Sequence, residues 1–324
     1  MSKRGEFDLI AQSLASLSDA AQGLGLTDDA ALFEPTPGHT AVLSTDTLVA
    51  GVHFLPDDPP RDIARKALRV NLSDIAAMGA VPKGYLLNLS LPDDVADTWL
   101  DAFVAGLAAD QQVFGVTLLG GDTVRTPGPF TVSVTAVGEV RLGRAMKRAG
   151  ARIGDVVLVT GTIGDAVIGL RVLTGKAALD PANAKFVLDR YRLPQPRTSI
   201  GPYLGGLASA AIDVSDGLIA DLGHICETSS VAATILADTV PLSPAGRAAI
   251  DAGQLTVSEA MSGGDDYELL FCAPPETRDA LSRLSATLDV AITEIGEITA
   301  GTGVELIDGN GEAVVIDRPG HTHF

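Results

Sequence analysis

Two carboxylates, Asp213 and Asp216, stand three residues apart in "IDVSDG", where an apolar run gives way to residues that open a helix. Such a pair either caps the helix or holds something positively charged. Other acids fall in similar places: Asp28 and Asp29 in "GLTDDAA", Asp46 closing "LSTD", Asp122 after two glycines in "LLGGD", and Asp265 and Asp266 in "SGGDDYE". Asp74 lies inside an apolar helical pattern with Asn71 on the same face. A single Asp after a strand is first of all a turn former or an N-cap, and Asp216 taken alone reads as a cap. Asp74 resists that reading, because an aspartate inside a helix costs helix propensity and its neighbours are apolar. Two carboxylates about 4 Å apart repel by around 4 kcal/mol at an effective dielectric of 20. Several of them together therefore call for cations, and a set of oxygen ligands selects hard ones, Mg²⁺ before Ca²⁺ or Mn²⁺. Carboxylate-held Mg²⁺ completes its shell with phosphate oxygens, and glycines beside the acids let a backbone approach a phosphate closely.

The elements that must position these acids alternate along the chain. "TAVLSTD" (40–46) reads as a short strand ending at Asp46, and 61–80 as a helix entered after "PDDPP". "GYLLNLSLP" is a strand, 94–114 a helix, "GVTLLGGDT" a strand that ends in glycines, and "PFTVSVTAVGEV" an alternating, β-branched strand. After the basic stretch "GRAMKRAGARIGD" a fresh strand begins at "DVVLVTG"; later come a strand to Asp213, a helix from Asp216, and strands "YELLFCA" and "VAITEIGEI". The pattern is α/β or α+β in two domains, 1–150 and 151–324. In open α/β sheets, strand ends and the loops after them are where ligands bind.

Composition narrows the chemistry. With 324 residues, 46% hydrophobic and 20% charged, the chain suits a soluble globular protein of about two domains. A net charge of −18 argues against nucleic acid as a partner and admits a polyphosphate only with metal ions to screen it. Cys226 and Cys272 show neither metal spacing nor a disulfide framework, which points to a reducing, cytoplasmic setting. In "MSKRGEFDLIAQSLASL", Phe7, Ile10, Leu14 and Leu17 recur at helical spacing, with no signal-peptide pattern. No run of about 18 apolar residues suggests a membrane span.

Familiar nucleotide motifs are missing. "GLRVLTGKA" (169–177) nearly imitates a P-loop, but it has one residue too many before Gly-Lys and Ala where Ser or Thr is needed, so it reads as a helix ending at Gly175. No GxGxxG, GxSxG or HExxH occurs, and Ser215 shows no partnering base, so no covalent nucleophile is assigned. "HTHF" at the C-terminus has H-x-H spacing but reads as a frayed polar tail.

The residues carry a resemblance. "GEFDLIA" (5–11), "DDAAL" (28–32), "LSTDTLVAGVHF" (43–54), "ALRVNLSDIAAMGA" (67–80), "LLGGDTVR" (118–125), "GRAMKRAGARIGD" (143–155), "IDVSDGLIADLGHI" (212–225) and "SGGDDYEL" (262–269) resemble, in order and spacing, the thiamine-monophosphate kinases. The resemblance implies a two-domain fold of the aminoimidazole ribonucleotide synthetase type, with an N-terminal domain that pairs across a homodimer and a C-terminal domain that closes over the ATP site. It implies direct in-line transfer from ATP to thiamine monophosphate, the last step to thiamine diphosphate, with several Mg²⁺ ions and no phosphoenzyme. It assigns Asp28, Asp29, Asp46, Asp74, Asp122, Asp213 and Asp216 to the metals, with hydroxyl or backbone oxygens of Ser44 and Thr45. Gly121, Asp122, Arg148 and Ser215 fall to ATP, and His53 and Asp265 to thiamine monophosphate.

Three positions depart from the family. Thr27 stands where Gly is usual, so the loop before Asp28 must adopt a conformation a β-branched residue tolerates. Asp265 stands where Glu is common, one methylene shorter. Arg318 and His321 replace aromatics in a tail that reads "DRPGHTHF", and no substrate role is carried to them. Two rivals are an ATP-dependent synthetase or maturation enzyme of the same superfamily, which would need a reactive cysteine near a terminus, and a non-catalytic nucleotide-binding relative, which would have lost some of the carboxylates.

Overall fold

The computed structural model describes residues 10–316 and 320. The chain divides into two compact units, one of residues up to Ile75 with Ala80–Leu142, the other of Ala76–Gly79 with the chain from Gly143 onward. No helix among the described residues is long and apolar enough to cross a membrane.

The first unit is a four-stranded sheet in the order β1-β4-β2-β3, built from β1 (His39–Val49), β2 (Val81–Leu91), β3 (Thr117–Arg125) and β4 (Thr131–Arg141). β4 runs antiparallel to both β1 and β2, and β2 runs parallel to β3. That parallel pair is bridged by helix α2 (Asp97–Phe114), the crossover that parallel strands require. Helix α1 (Pro60–Ala77) lies on the same sheet face, close enough to α2 that a Cβ on Gly106 would sit 2.3 Å from the Arg61 carbonyl oxygen. On the opposite face, Leu43, Thr45 and Thr47 of β1 are exposed.

Two strands outrun the sequence reading. β1 continues past Asp46 because Thr45 and Thr47 keep the β-branched ladder going, and Asp46 pairs with Val134 inside the strand. β3 passes through its glycines rather than ending at them, and Asp122 pairs with Asn88. A Cβ on Gly121 would lie 1.8 Å from the Leu87 carbonyl oxygen, so the glycine permits the pairing. Neither Asp46 nor Asp122 closes a strand, contrary to expectation.

The second unit is a six-stranded sheet ordered β10-β7-β9-β5-β8-β6. Its strands are β5 (Val156–Thr160), β6 (Ala210–Asp213), β7 (Ala232–Leu236), β8 (Leu269–Ala273), β9 (Ile292–Thr299) and β10 (Gly303–Ile307). β10 pairs parallel with β7; the other pairings are antiparallel. Every residue of β5, β6 and β8 is buried, as in a sheet covered on both sides. Alternation sorts them: Val157, Val159, Ile212, Leu270 and Cys272 enter one core, Val156, Leu158, Ala211, Leu269 and Phe271 the other. Around the sheet lie α3 (Asp165–Leu173), α4 (Pro181–Arg192), α5 (Gly201–Leu204), α6 (Leu218–Ser229), α7 (Pro244–Asp251), α8 (Val257–Ser262) and α9 (Arg278–Leu288). Leu218, Leu222 and Ile225 of α6 recur at helical spacing and are fully buried in the first core, each worth roughly 1.5–3 kcal/mol.

At the N-terminus, the expected helix is a π turn, Ile10–Leu14, followed by a 3₁₀ turn, Ala15–Leu17. Phe7, Arg318 and His321 lie outside the described residues.

Candidate active site

In the first unit, strand alternation places Ser44 and Asp46 on the face that α1 covers, and Asn71 and Asp74 answer from one side of that helix. The Ser44 hydroxyl donates to Asp74 Oδ2 at 2.5 Å, and the Asp46 amide donates to Asn71 Oδ1 at 2.9 Å. Asn71, fully buried, is itself held by a bond from its Nδ2 to the Ala67 carbonyl at 2.9 Å. Burial first, then the charge of Asp74 and a hydrogen bond with it, push the Asp46 carboxyl up to about 6. Two carboxylates and a hydroxyl thus meet at close range, an all-oxygen donor set that fits a hard divalent cation. Thr45 points the other way: its hydroxyl donates to the Val134 carbonyl at 3.1 Å and accepts from Thr135 at 3.0 Å, leaving only its backbone carbonyl for the role expected of it.

A second set borders a cavity of about 560 Å³ whose walls include Leu26, Phe33 and Leu86 and whose polar lining includes Asp28, Asp29, Gly121 and Asp122. Asp28 and Asp29 are exposed and follow the 3₁₀ turn Leu24–Leu26. Positive φ falls on Leu24 (50°), Gly25 (62°) and Leu26 (58°), whereas Thr27 has φ −105°, ordinary for a β-branched residue. Thr27 therefore needs no left-handed backbone, which falls on the three residues before it. Asp122 stands on the opposite edge strand from Asp46, with β4 and β2 between them. The acids of the first unit therefore form two sets rather than one cluster.

His53 follows β1, and its Nδ1 accepts from the Val49 amide at 3.0 Å, so in the neutral ring the proton sits on Nε2. Its carbonyl accepts from the buried Lys66 Nζ at 3.1 Å.

In the second unit β6 ends at the buried Asp213, and α6 begins at Leu218. Asp216 is not the cap, contrary to its isolated reading. Gly217, φ +124°, occupies that position, and the amides of Ser215, Asp216 and Gly217 donate to one oxygen of Asp221, at 3.0, 3.1 and 3.1 Å. Asp221 was missed from sequence. The signal was there: it shares the buried stripe of Leu218, Leu222 and Ile225, where a carboxylate needs a partner. Burial, then the charge of Asp216, pushes its carboxyl up to about 7 against the pull of the three amides. Ligand atoms of Asp216, Asp221 and His224 come within 4.8 Å of one another.

The loop 262–267 is stitched to this turn. The Asp265 amide donates to the Ser215 carbonyl at 2.9 Å and the Tyr267 amide to that of Val214 at 2.8 Å. The approach needs Gly264, where a Cβ would lie 2.2 Å from the Ser215 carbonyl oxygen. Asp265 takes φ +70°, a conformation Asp tolerates better than most residues, and its Oδ1 accepts from the Tyr267 hydroxyl at 3.3 Å. So Asp213, Ser215, Asp216 and Asp265 are assembled in one place. Asp266 instead turns inward and accepts the amides of Gly164 (2.7 Å) and Ala166 (3.2 Å) at the start of α3, while fully buried Glu268 takes Arg190 and Arg197 at 2.5 Å. Arg148 sits in an exposed loop whose backbone is tied to Ser229, the Ser229 hydroxyl donating to the Arg148 carbonyl at 3.3 Å.

Comparison with known proteins is consistent along the chain. The profile described as AIR synthase related protein, N-terminal domain, matches residues 27–140, and that described as its C-terminal domain matches 152–309. The thiamine-monophosphate kinase of Salmonella typhimurium strain LT2 is 44% identical over 326 residues, covering 99% of this chain and 98% of the relative. The crystal structure of the thiamine-monophosphate kinase from Stenotrophomonas maltophilia K279a superposes with a TM-score of 0.84 at 43% identity, over 93% of this chain and 94% of that one. A structure of AaThiL complexed with AMPPCP and TMP superposes with a TM-score of 0.80 at 32% identity, over 100% of both chains.

Proposed function

This chain belongs to the thiamine-monophosphate kinase family, within the AIR synthase related proteins, and we propose that it transfers the γ-phosphoryl group of ATP to thiamine monophosphate, giving ADP and thiamine diphosphate. The observation that carries this reading is kinship over nearly the whole chain, joined to carboxylates gathered beside glycine-shaped backbone.

Asp28, Asp29, Asp46, Asp74, Asp122, Asp213 and Asp216, with Ser44 and the Thr45 carbonyl, are the residues assigned to hold Mg²⁺. When bound, such ions neutralise phosphate charge and allow an acidic protein to take a nucleotide. Gly121, on the edge strand β3, offers its backbone to phosphate, and Arg148 and Ser215 donate to phosphate oxygens. His53 presents Nε2–H as a donor for the monophosphate, and Asp265 offers a carboxylate to the cationic thiamine. The bond between the γ-phosphorus and its bridging oxygen breaks as an oxygen of thiamine monophosphate bonds to that phosphorus. Positioning and electrostatic stabilisation carry the rate.

The reading includes a homodimer in the cytoplasm. Exposure of Leu43 (67%), Thr45 and Thr47 along one face of β1 supports the first, and two buried free cysteines support a reducing compartment. ADP release with thiamine monophosphate, with free thiamine and with neither tests the function. Release with the monophosphate alone is expected; release only with free thiamine, or none, contradicts it.

A further inference from the structure

The geometry points to Asp221 as the positioning residue of the Ser215–Asp216–Gly217 turn, a role that rests on the kinase reading above. Between β6 and α6 the chain leaves three successive N–H groups without a helix or strand to bond to. One turn into α6, Asp221 reaches back and collects all three on Oδ2, at 3.0, 3.1 and 3.1 Å. The residue is 1% exposed, so water has no access to take its place.

Those three amides belong to the stretch that carries Ser215, assigned to ATP, and Asp216, assigned to the metal. Fixing them fixes where both side chains leave the backbone. The other side of the turn is fixed as well, by the Asp265 amide on the Ser215 carbonyl at 2.9 Å. Asp221 and Asp216 lie within ligand distance of one another, but the oxygen of Asp221 that takes the amides is committed to the turn. Asp221 therefore positions and Asp216 binds.

The test compares wild type with Asp221→Ala, Asp221→Asn and Asp221→Glu. Its readouts are melting, calorimetric binding of a non-hydrolysable ATP analogue across a Mg²⁺ series, and steady-state kinetics. The folded alanine variant is expected to need about tenfold more Mg²⁺ for half-maximal nucleotide binding and to lose about tenfold in kcat, with KM for thiamine monophosphate within about threefold. Asp221→Asn keeps an acceptor oxygen and returns to within about threefold of wild type. Asp221→Glu displaces the oxygen by a methylene and follows alanine, standing in for it if the alanine variant does not fold. An unchanged Mg²⁺ requirement in folded Asp221→Ala or Asp221→Glu overturns the proposal, since a merely structural residue would move melting alone. Asp221→Asn that loses turnover by about 100-fold or more also overturns it, by making Asp221 a ligand. A wild-type chain that binds the analogue with Mg²⁺ but forms no thiamine diphosphate would sink the kinase reading, while the binding series still decides the role of Asp221.

Discussion

At the scale of residues, the carboxylates divide by what surrounds them. Asp216 is half-buried on a turn whose amides are satisfied by another residue, so its own oxygens are free of capping work. Asp216→Asn should lose turnover by at least about 100-fold while melting as wild type does; turnover near normal would remove it from the metal set. Asp266 and Glu268 are spent on structure, the one on amides at the start of α3 and the other on two guanidinium groups. Sequence could not separate these uses. Asp265 and Asp266 are adjacent and chemically identical, and only the positive φ of Asp265 sends one outward and the other into the core. The Glu268 pairs with Arg190 and Arg197 join residues 78 and 71 positions apart, contacts that no local pattern encodes.

At the scale of elements, packing decides which glycines are required. Gly264 lets the 262–267 loop lie against the Ser215 carbonyl, and Gly264→Ala should cost roughly 1–3 kcal/mol in urea unfolding and reduce activity together with it. An unchanged unfolding midpoint would mean the loops separate without cost. Leu222→Ala on the buried stripe of α6 should cost roughly 2–5 kcal/mol by the same measurement, far more than an exposed substitution. β4 contributes a pH dependence. Burial works against the Glu139 carboxylate, but hydrogen bonds from the Thr36 amide, from Lys83 and from the Thr36 hydroxyl outweigh it and hold the group at about 2, against 4.5 ordinarily. A carboxyl that titrates lower when folded lets protons favour the unfolded chain, so its stabilisation is full above about 4.5 and is lost as pH falls toward about 2. Glu139→Gln should flatten the acid limb of a melting-temperature profile over that window; an unaltered limb would assign the acid sensitivity elsewhere. Strand and helix types were legible from alternation and helical spacing. Their ends were not, because Thr45 and Thr47 propagate a strand that polarity suggests should stop, and Gly120–Gly121 can end a strand or admit a close neighbour equally well.

For the whole molecule, each unit carries its own chemistry: two oxygen-rich sets on the four-stranded sheet, and one assembled turn at the end of β6. The proposed homodimer predicts that wild type sediments as a dimer and that Leu43→Lys, on the exposed side of β1, shifts it toward monomer; a dimer indifferent to that change would place the interface elsewhere. The most direct measurement is phosphorus NMR of the purified chain with ATP, Mg²⁺ and thiamine monophosphate. Thiamine diphosphate and ADP are expected to appear in equal amounts, with none when Mg²⁺ is chelated and none when free thiamine replaces the monophosphate. ATP turned over with inorganic phosphate as the product, or thiamine diphosphate formed undiminished under chelation, would contradict the kinase reading.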